Sequence, residues 1–131
     1  MQGANRFPRT KWVCSAAPIR YLCAMTATLL VLCTCPDRRT ALDLAAPLVQ
    51  EGLAACVNIT ASITSVYRWQ GKVEQAEECL LLIKTGAARY QQLEDALRSR
   101  HPYELPEIIA VPIQHGLIDY LQWVEQCTTA S

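Results

Sequence analysis

The sequence predicts an α+β protein of the ferredoxin-like class, a β-α-β-β-α-β (split βαβ) arrangement with an antiparallel sheet and an extra C-terminal helix. Three features support this prediction. A continuous apolar run at residues 28–34 is typical of a strand buried on both faces. Gly71 indicates a long hairpin between the second and third strands, and two segments with helical apolar spacing separate the strands. This topology hosts many functions, so it identifies none by itself.

The first strand and the first helix follow one another directly. The strand at residues 28–34 is closed by Pro36, and Asp37 is a good residue for the N-terminal cap of a helix. Apolar residues recur at helical spacing until Gly52, which favours a helix end. Pro47 falls inside this helix, where its missing amide predicts a bend and a position on the outer face. The expected inner face consists of Leu42, Ala45, Ala46, Val49 and Leu53.

A long hairpin follows the first helix. Residues 54–70 have a β-like pattern with an irregularity at 60–62, Gly71 supplies the turn, and the chain returns over residues 73–85. The returning arm contains residues 79–83, which are apolar on both faces. We therefore expect an oligomer to cover the face that the domain's own helices leave free.

A second helix, a last strand and a terminal helix complete the pattern. Tyr90, Leu93 and Leu97 mark one face of the second helix, which ends at His101 before a proline. A strand is expected over residues 104–113, and Pro106 and Pro112 indicate either an edge position or the ends of the strand. The terminal helix is marked by Leu117, Tyr120, Leu121 and Val124.

The chain divides into an N-terminal extension, residues 1–24, and one domain, residues 25–131. The extension has four basic residues, no acidic residue and no periodicity, so we expect it to be disordered or to precede the natural start, with a targeting segment as the alternative. The domain holds eight basic and twelve acidic residues, which argues against nucleic-acid and anionic-membrane partners. No uncharged stretch reaches the roughly 18 residues that a membrane span needs.

Seven cysteines are scattered through mostly apolar segments. Their odd number and irregular spacing do not resemble a disulfide framework, and neither a C-x-x-C motif nor a Cys/His quartet of structural-zinc spacing occurs. Reduced cysteines fit a reducing compartment. We therefore expect a cytoplasmic protein.

The sequence lacks the common enzyme signatures. It contains no G-x-S-x-G, no glycine-rich phosphate loop and no H-E-x-x-H. Arg38 and Arg39 lie at the predicted start of the first helix, where they could hold an anion, although solvated arginines are more common. A non-enzymatic protein is the expectation.

Three side chains offer soft or borderline metal ligands. Cys33 and Cys35 are two residues apart on a strand, so their thiols share a face; this arrangement suits copper, although free cysteines more often belong to a core. His101 can act as an imidazole ligand or cap the last carbonyls of its helix.

Tyr67 and Trp69 share a strand face and are expected in an interface or in the core.

Five blocks of the sequence resemble the CutA divalent-cation tolerance family. They occur in the same order and with the same separations as in that family, over about residues 29–124. The blocks are Val31-Leu32-Cys33-Thr34-Cys35-Pro36-Asp37, Leu53-Ala54-Ala55-Cys56-Val57-Asn58-Ile59, Ser65-Val66-Tyr67-Arg68-Trp69-Gln70-Gly71-Lys72, Leu82-Ile83-Lys84-Thr85 and His101-Pro102-Tyr103-Glu104-Leu105-Pro106-Glu107.

The resemblance implies a ferredoxin-like subunit in a tight homotrimer, similar in architecture to the PII signalling proteins, with a role in tolerance of copper and other divalent metals. In bacterial members, copper contacts are ascribed to the cysteine after the first strand and to two histidines after the second helix. Cys33 matches the cysteine and His101 the second histidine, so these two are the implied metal ligands. Arg100 replaces the other histidine, and a guanidinium cannot coordinate a cation.

The residues and the resemblance together predict a non-enzymatic, homotrimeric copper-tolerance protein. The alternative is a PII-like signalling module. Its clefts between subunits would bind a partner protein or a small anionic ligand near Arg38 and Arg39.

Overall fold

An antiparallel sheet of five strands and three α-helices make up residues 27–129, the part of the chain that this computed structural model describes. The expectations for residues 1–24 therefore lie outside the described residues. A 3₁₀ turn, Ala87–Arg89, precedes the second helix. In chain order the elements are β1 (Thr28–Cys35), α1 (Arg38–Gln50), β2 (Cys56–Ile59), β3 (Ile63–Trp69), β4 (Lys72–Gly86), α2 (Tyr90–Arg100), β5 (Ile108–Pro112) and α3 (Ile118–Thr128).

The sheet has the order β2-β4-β1-β5, and each of these pairs is antiparallel. β3 pairs with the first half of β4, and β2 pairs with the second half. β2 and β3 are thus one long arm that is interrupted at residues 60–62, where the sequence indicated an irregularity. The β-α-β-β-α-β order and the antiparallel pairing confirm the ferredoxin-like class.

The hairpin between β3 and β4 closes in a two-residue turn. Gln70 has φ 50° and Gly71 has φ 80°, so both lie in the left-handed region. Turns of this hand match the right-handed twist of the flanking strands. The glycine that indicated the turn in the sequence thus occupies a position where a side chain would strain the backbone.

The core lies between the sheet and the two helices α1 and α2. On β1 the residues at alternate positions, Val31, Cys33 and Cys35, face these helices and are buried. The register with β4 places Leu81 opposite Cys33 and Cys79 opposite Cys35 on the same face. Both predicted cysteines of β1 are therefore part of the core.

The buried face of α1 differs from the expected one. Ala45 is buried as predicted, but Leu42 and Val49 are each 44% exposed and Ala46 is exposed, so that part of the assignment was wrong. Two apolar stripes with the same i, i+3, i+4, i+7 spacing run along this helix, one residue apart, and the first of them packs on the sheet. Its members are Ala41, Leu44, Ala45 and Leu48.

The N-terminal cap and the C-terminal end of α1 lie where the sequence predicts them. The carboxylate of Asp37 accepts a hydrogen bond from the backbone N of Thr40 at 2.8 Å, which confirms the predicted cap. The helix ends just before Gly52, whose φ is 72°. Pro47 lies within the helix as expected, at a half-buried position outside the set of buried residues.

The opposite face of the sheet, here called the open face, is only partly covered within this chain. Leu80 and Leu82 alternate with the core residues of β4 and are half-buried. On β5, Ile109 and Val111 are about half exposed, and the register places them opposite Leu32 and Leu30 of β1. Apolar side chains from three neighbouring strands therefore form a continuous surface on this face.

The C-terminal part of the chain largely follows the prediction. β5 is an edge strand as expected, but it is shorter than residues 104–113, and residues 104–107 form a loop. Leu121 and Val124 of α3 are buried, whereas Leu117 precedes the helix and is exposed. Among the described helices, none combines the length and the apolar character that crossing a membrane would require.

Candidate functional site

His101 joins the end of β1 to the loop that follows α2. Its Nε2 lies 2.8 Å from the carbonyl oxygen of Thr34, and its Nδ1 accepts a hydrogen bond from the backbone N–H of Tyr103 at 3.0 Å. Because a carbonyl only accepts and an amide N–H only donates, the ring is neutral and carries its proton on Nε2. The side chain thus binds β1 and the loop, and the backbone N–H of His101 donates to Leu97 at the end of α2.

Cys33 lies beside the same carbonyl group. Its Sγ is 3.7 Å from the oxygen of Thr34, and the residue is fully buried. Burial raises the pKa of this thiol from 9.0 to about 12, and the nearby Cys35, Glu107 and Glu78 act in the same direction. The structure therefore brings the two predicted metal ligands, Cys33 and His101, together around one backbone oxygen.

A metal ion at these two atoms must displace the thiol proton of Cys33 and shift the imidazole proton of His101 from Nε2 to Nδ1. The thiol has to ionise against its burial, and Nε2 has to lose the proton that it donates to Thr34. The imidazole lone pair points to Tyr103 instead, so coordination through Nε2 requires the loop after α2 to move. No cluster of three or more His, Cys, Asp and Glu side chains suited to a metal ion occurs within residues 27–129. The donors that fit a soft ion are present, but they are engaged with the backbone.

Cys35 belongs to the core rather than to an open site. Its Sγ lies 3.5 Å from the carbonyl oxygen of Asp37, and Cys79 is its direct neighbour on β4. Burial, with the adjacent Cys79 as the next cause, raises the pKa of Cys35 to about 11. The expectation that Cys35 packs in the core is confirmed.

Arg100 forms an ion pair with an acidic residue at the end of another helix. Its Nη2 lies 2.9 Å and 3.0 Å from the two carboxylate oxygens of Glu51, the residue that ends α1. The positive charge beside His101 in the sequence is therefore paired. It connects the C-terminal ends of α1 and α2.

The two arginines considered for an anion lie at the start of α1 and are exposed. Nε of Arg39 is 3.5 Å from Asp43, one turn further along the helix. A solvated helix surface accounts for this pair.

An open cleft of about 830 Å³ borders the His101 loop on the open face of the sheet. Glu78 of β4 lies at its base, and its Oε2 accepts a hydrogen bond of 2.8 Å from the hydroxyl of Tyr103. Burial, followed by this hydrogen bond and the charge of Glu78, raises the pKa of Tyr103. The cleft is lined by Thr34, Ser65, Val66, Tyr67, Arg68, Trp69, Glu78, Pro102, Tyr103, Glu104, Leu105, Pro106 and Glu107.

Two aromatic residues of β3 form one wall of this cleft. Tyr67 and Trp69 are 43% and 40% exposed, so they are not part of the core of this chain. Sequence reasoning named this pair but missed Glu78. That glutamate directly precedes the apolar run at 79–83, and a charge at the border of a buried strand was the available signal.

Comparison with known proteins identifies the family. Residues 29–127 match the sequence model of the CutA1 divalent ion tolerance protein family. The chain belongs to this family. Its fold is that of a CutA1 domain.

CutA and CutA1 proteins of other organisms are similar to this chain over nearly their whole length. The divalent-cation tolerance protein CutA of Escherichia coli O139:H28 is 46% identical over 99 residues, which are 76% of this chain and 88% of that protein. Cut A1 from Thermus thermophilus has a TM-score of 0.76 at 44% identity, and the match covers 77% of this chain and 98% of that one. CutA from Xylella fastidiosa has the same TM-score and identity, with 78% and 98% covered.

Proposed function

We propose that this protein acts in divalent-cation tolerance by binding copper through Cys33 and His101, without catalysing a reaction. The main support is the convergence of Sγ and Nε2 on the oxygen of Thr34. A thiolate and an imidazole suit copper better than magnesium or calcium, because sulfur and nitrogen are softer ligands than oxygen. Membership of the CutA1 family supports a role with divalent cations.

In this proposal the metal replaces the two hydrogen bonds to the carbonyl oxygen of Thr34. Because Nδ1 then carries the ring proton, it no longer accepts the hydrogen bond from the Tyr103 amide, and the loop at 102–107 moves. The thiol gives up its proton and the imidazole binds only in its neutral form, so the affinity for copper falls as the pH is lowered. Binding should be slower than for a preformed site because it requires this rearrangement.

We also propose that the functional form is a homotrimer. The open face presents Leu80, Leu82, Ile109 and Val111 at half-buried or exposed positions. A continuous apolar surface of this kind is typical of a face that another subunit covers. The loop that carries His101 borders the same face, so assembly and metal binding would be neighbours.

A copper titration with accounting of free thiols tests the metal site. We expect Cys33→Ser and His101→Ala each to weaken binding at least tenfold, because each removes one of two ligands. Arg100→His, which restores the second histidine, should tighten it. Cys127→Ser is the matched control, since Cys127 is exposed on α3 and its loss should leave the affinity unchanged. Equal affinities in all variants would show that copper binds elsewhere.

A further inference from the structure

Cys35 and Cys79 face each other across two neighbouring strands of the sheet. They are directly opposite in the antiparallel register of β1 and β4, and both side chains belong to the core. Both are free thiols, and neither is a ligand of the copper site proposed above. Packing accounts for their burial, because free cysteine is among the most buried residue types. The chemistry available to two facing thiols is a separate property.

The type of strand pairing sets the distance between the two Cα atoms. The backbone N–H of Ala87 donates to the carbonyl oxygen of Ala27 at 2.6 Å, so these residues form a hydrogen-bonded pair next to the β1–β4 ladder. Such pairs recur at every second position of an antiparallel ladder, and Cys35 and Cys79 are therefore of the same type. Their Cα atoms are about 5.5 Å apart, a separation that a disulfide spans.

The other cysteines of residues 27–129 are less suited to bridge either thiol. Cys33 is diagonal to Cys79 across the two strands, at about 7 to 8 Å, which is at or beyond the reach of a disulfide. Cys56 of β2 pairs with Lys84, on the other face of the sheet. Cys127 is exposed on α3. The register therefore selects one pair of thiols.

Cys35 lies directly beneath an exposed turn. It is the last residue of β1, and its Sγ is 3.5 Å from the carbonyl oxygen of Asp37. Asp37 and the two arginines that follow it are exposed, so a small oxidant has only this turn to pass. Because Cys35 ends its strand, its side chain can turn from Asp37 toward Cys79 without disrupting the middle of the ladder.

We propose that Cys35 and Cys79 form a reversible disulfide in the presence of a peroxide. The sulfur of Cys35, after losing its proton, attacks one peroxide oxygen; the O–O bond breaks, and a sulfenic acid and a water molecule form. The sulfur of Cys79 then attacks the sulfenic sulfur, loses its own proton and releases a second water molecule. In all, the two thiols lose two electrons and two protons, which reduce one hydrogen peroxide to two waters.

The disulfide would also affect the loop that carries His101. Thr34 directly precedes Cys35, and its carbonyl oxygen lies 2.8 Å from Nε2 of His101. A movement of Cys35 toward β4 shifts this carbonyl group, so oxidation should loosen its contact with the imidazole. The oxidation state of the core would thus be transmitted to the loop at 102–107. This effect does not require a bound metal.

Peptide mapping of the full chain after treatment with hydrogen peroxide tests the proposal. Remaining thiols are blocked with N-ethylmaleimide, and trypsin then releases residues 21–38 and 73–84. We expect these two peptides to be linked, with a mass two hydrogen atoms below the sum of their free forms. Fragmentation should place the bond between Cys35 and Cys79, and dithiothreitol should separate the peptides.

Single substitutions identify the sulfur atoms involved. Cys35→Ala and Cys79→Ala should each abolish the link, because each removes one partner. Cys56→Ala is the matched control, since this strand cysteine lies on the other face of the sheet and its loss should leave the link unchanged. Cys33→Ser should also form the link, which separates the disulfide from the proposed copper site. If a core variant does not fold, the peptide map of the wild type still decides.

Amide hydrogen exchange measures the effect on the loop. The N–H of Tyr103 donates to Nδ1 of His101, and its exchange should become faster on oxidation of the wild type but not of Cys79→Ala. An unchanged rate in the oxidised wild type would refute the coupling to the loop.

Three results of the peptide map would overturn the disulfide itself. One is the absence of linked peptides under conditions that oxidise the exposed Cys127. Another is a bond between a different pair of cysteines. The third is conversion of Cys35 to a sulfinic acid while Cys79 remains a free thiol.

Discussion

At the scale of single residues, the buried thiols of β1 connect the core with the candidate metal site. Cys33 packs with the core residues and also lies beside the Thr34 carbonyl. Its thiol is stable there only in the protonated form, because burial raises its pKa to about 12. Burial of Cys33 therefore disfavours ionisation of its thiol. Because only the thiolate binds a metal, the free energy of metal binding must exceed the cost of this ionisation.

This burial predicts a loss of stability in alkali. In the unfolded chain the thiol ionises near pH 9.0, but in the folded protein only near 12, so the native state holds the extra proton between these values. The free energy of unfolding is therefore unaffected by this group below pH 9 and decreases above it, by up to about 1.4 kcal/mol per pH unit for one thiol.

Denaturation in urea from pH 8 to 11 measures this dependence. Cys33→Ala should show a shallower decrease than the wild type, since it removes one titrating thiol and leaves Cys35. Leu44→Ala, a cavity variant in the same core without a titrating group, should be less stable at every pH but keep the wild-type slope. Identical slopes for Cys33→Ala and the wild type would contradict the prediction.

The sequence predicted the site residues whose role comes from the chemistry of their own side chains. Cys33 and His101 were named from ligand chemistry and family resemblance, and the fold places them around one oxygen. That oxygen belongs to the backbone of Thr34, and the tautomer of His101 is set by the backbone amide of Tyr103. No side-chain pattern encodes such contacts. Glu78 was missed for a related reason, because its burial depends on a loop 25 residues away in sequence.

At the scale of elements, patterns confined to a few neighbouring residues were predicted better than packing faces. The cap at Asp37 and the turn at Gly71 are confirmed because both depend on local backbone geometry. The inner face of α1 was partly wrong, since two apolar stripes are compatible with its sequence and only the sheet selects between them. The edge position of β5 followed from its prolines, but its length did not.

The hairpin turn offers an element-scale prediction. Gly71→Ala should destabilise the protein by about 1 kcal/mol, because φ at this position is 80° and a Cβ is disfavoured in this region. The added methyl group would contact nothing within 4 Å, so the cost is one of backbone conformation alone. Thermal denaturation at one protein concentration measures it.

Gln70→Asn is the control for this turn. Gln70 has φ 50°, and asparagine tolerates the left-handed region better than glutamine. This variant should be as stable as the wild type or slightly more so. A Gly71→Ala protein with an unchanged melting temperature would show that the turn adopts another conformation.

At the scale of the whole molecule, the two faces of the sheet have different roles. One face is sealed by α1 and α2 and holds the core, whereas the open face carries the cleft at one end and an apolar surface along its strands. An oligomer that covers the apolar surface would also border the cleft. A change in assembly would then also alter the surroundings of the loop at 102–107, which lines the cleft.

The position of Leu82 makes the proposed trimer testable without damaging the core. Leu81 faces the helices and is fully buried, so a charge there would prevent folding whatever the oligomeric state. Leu82 is half-buried on the open face, where an aspartate would be tolerated in a monomer. In a symmetric trimer it would place an uncompensated charge in each of the three equivalent interfaces. We therefore expect Leu82→Asp to dissociate the assembly while each subunit keeps its secondary structure.

Analytical ultracentrifugation together with circular dichroism measures this outcome. The wild type should sediment with the mass of three chains, and Leu82→Asp with that of one chain at the same helix and strand content. Leu42→Asp is the control, because Leu42 is 44% exposed on the solvent side of α1 and the same substitution there should leave three chains together. A wild type that sediments as a single chain would refute the trimer, because the open face would then be solvent-exposed in the native protein.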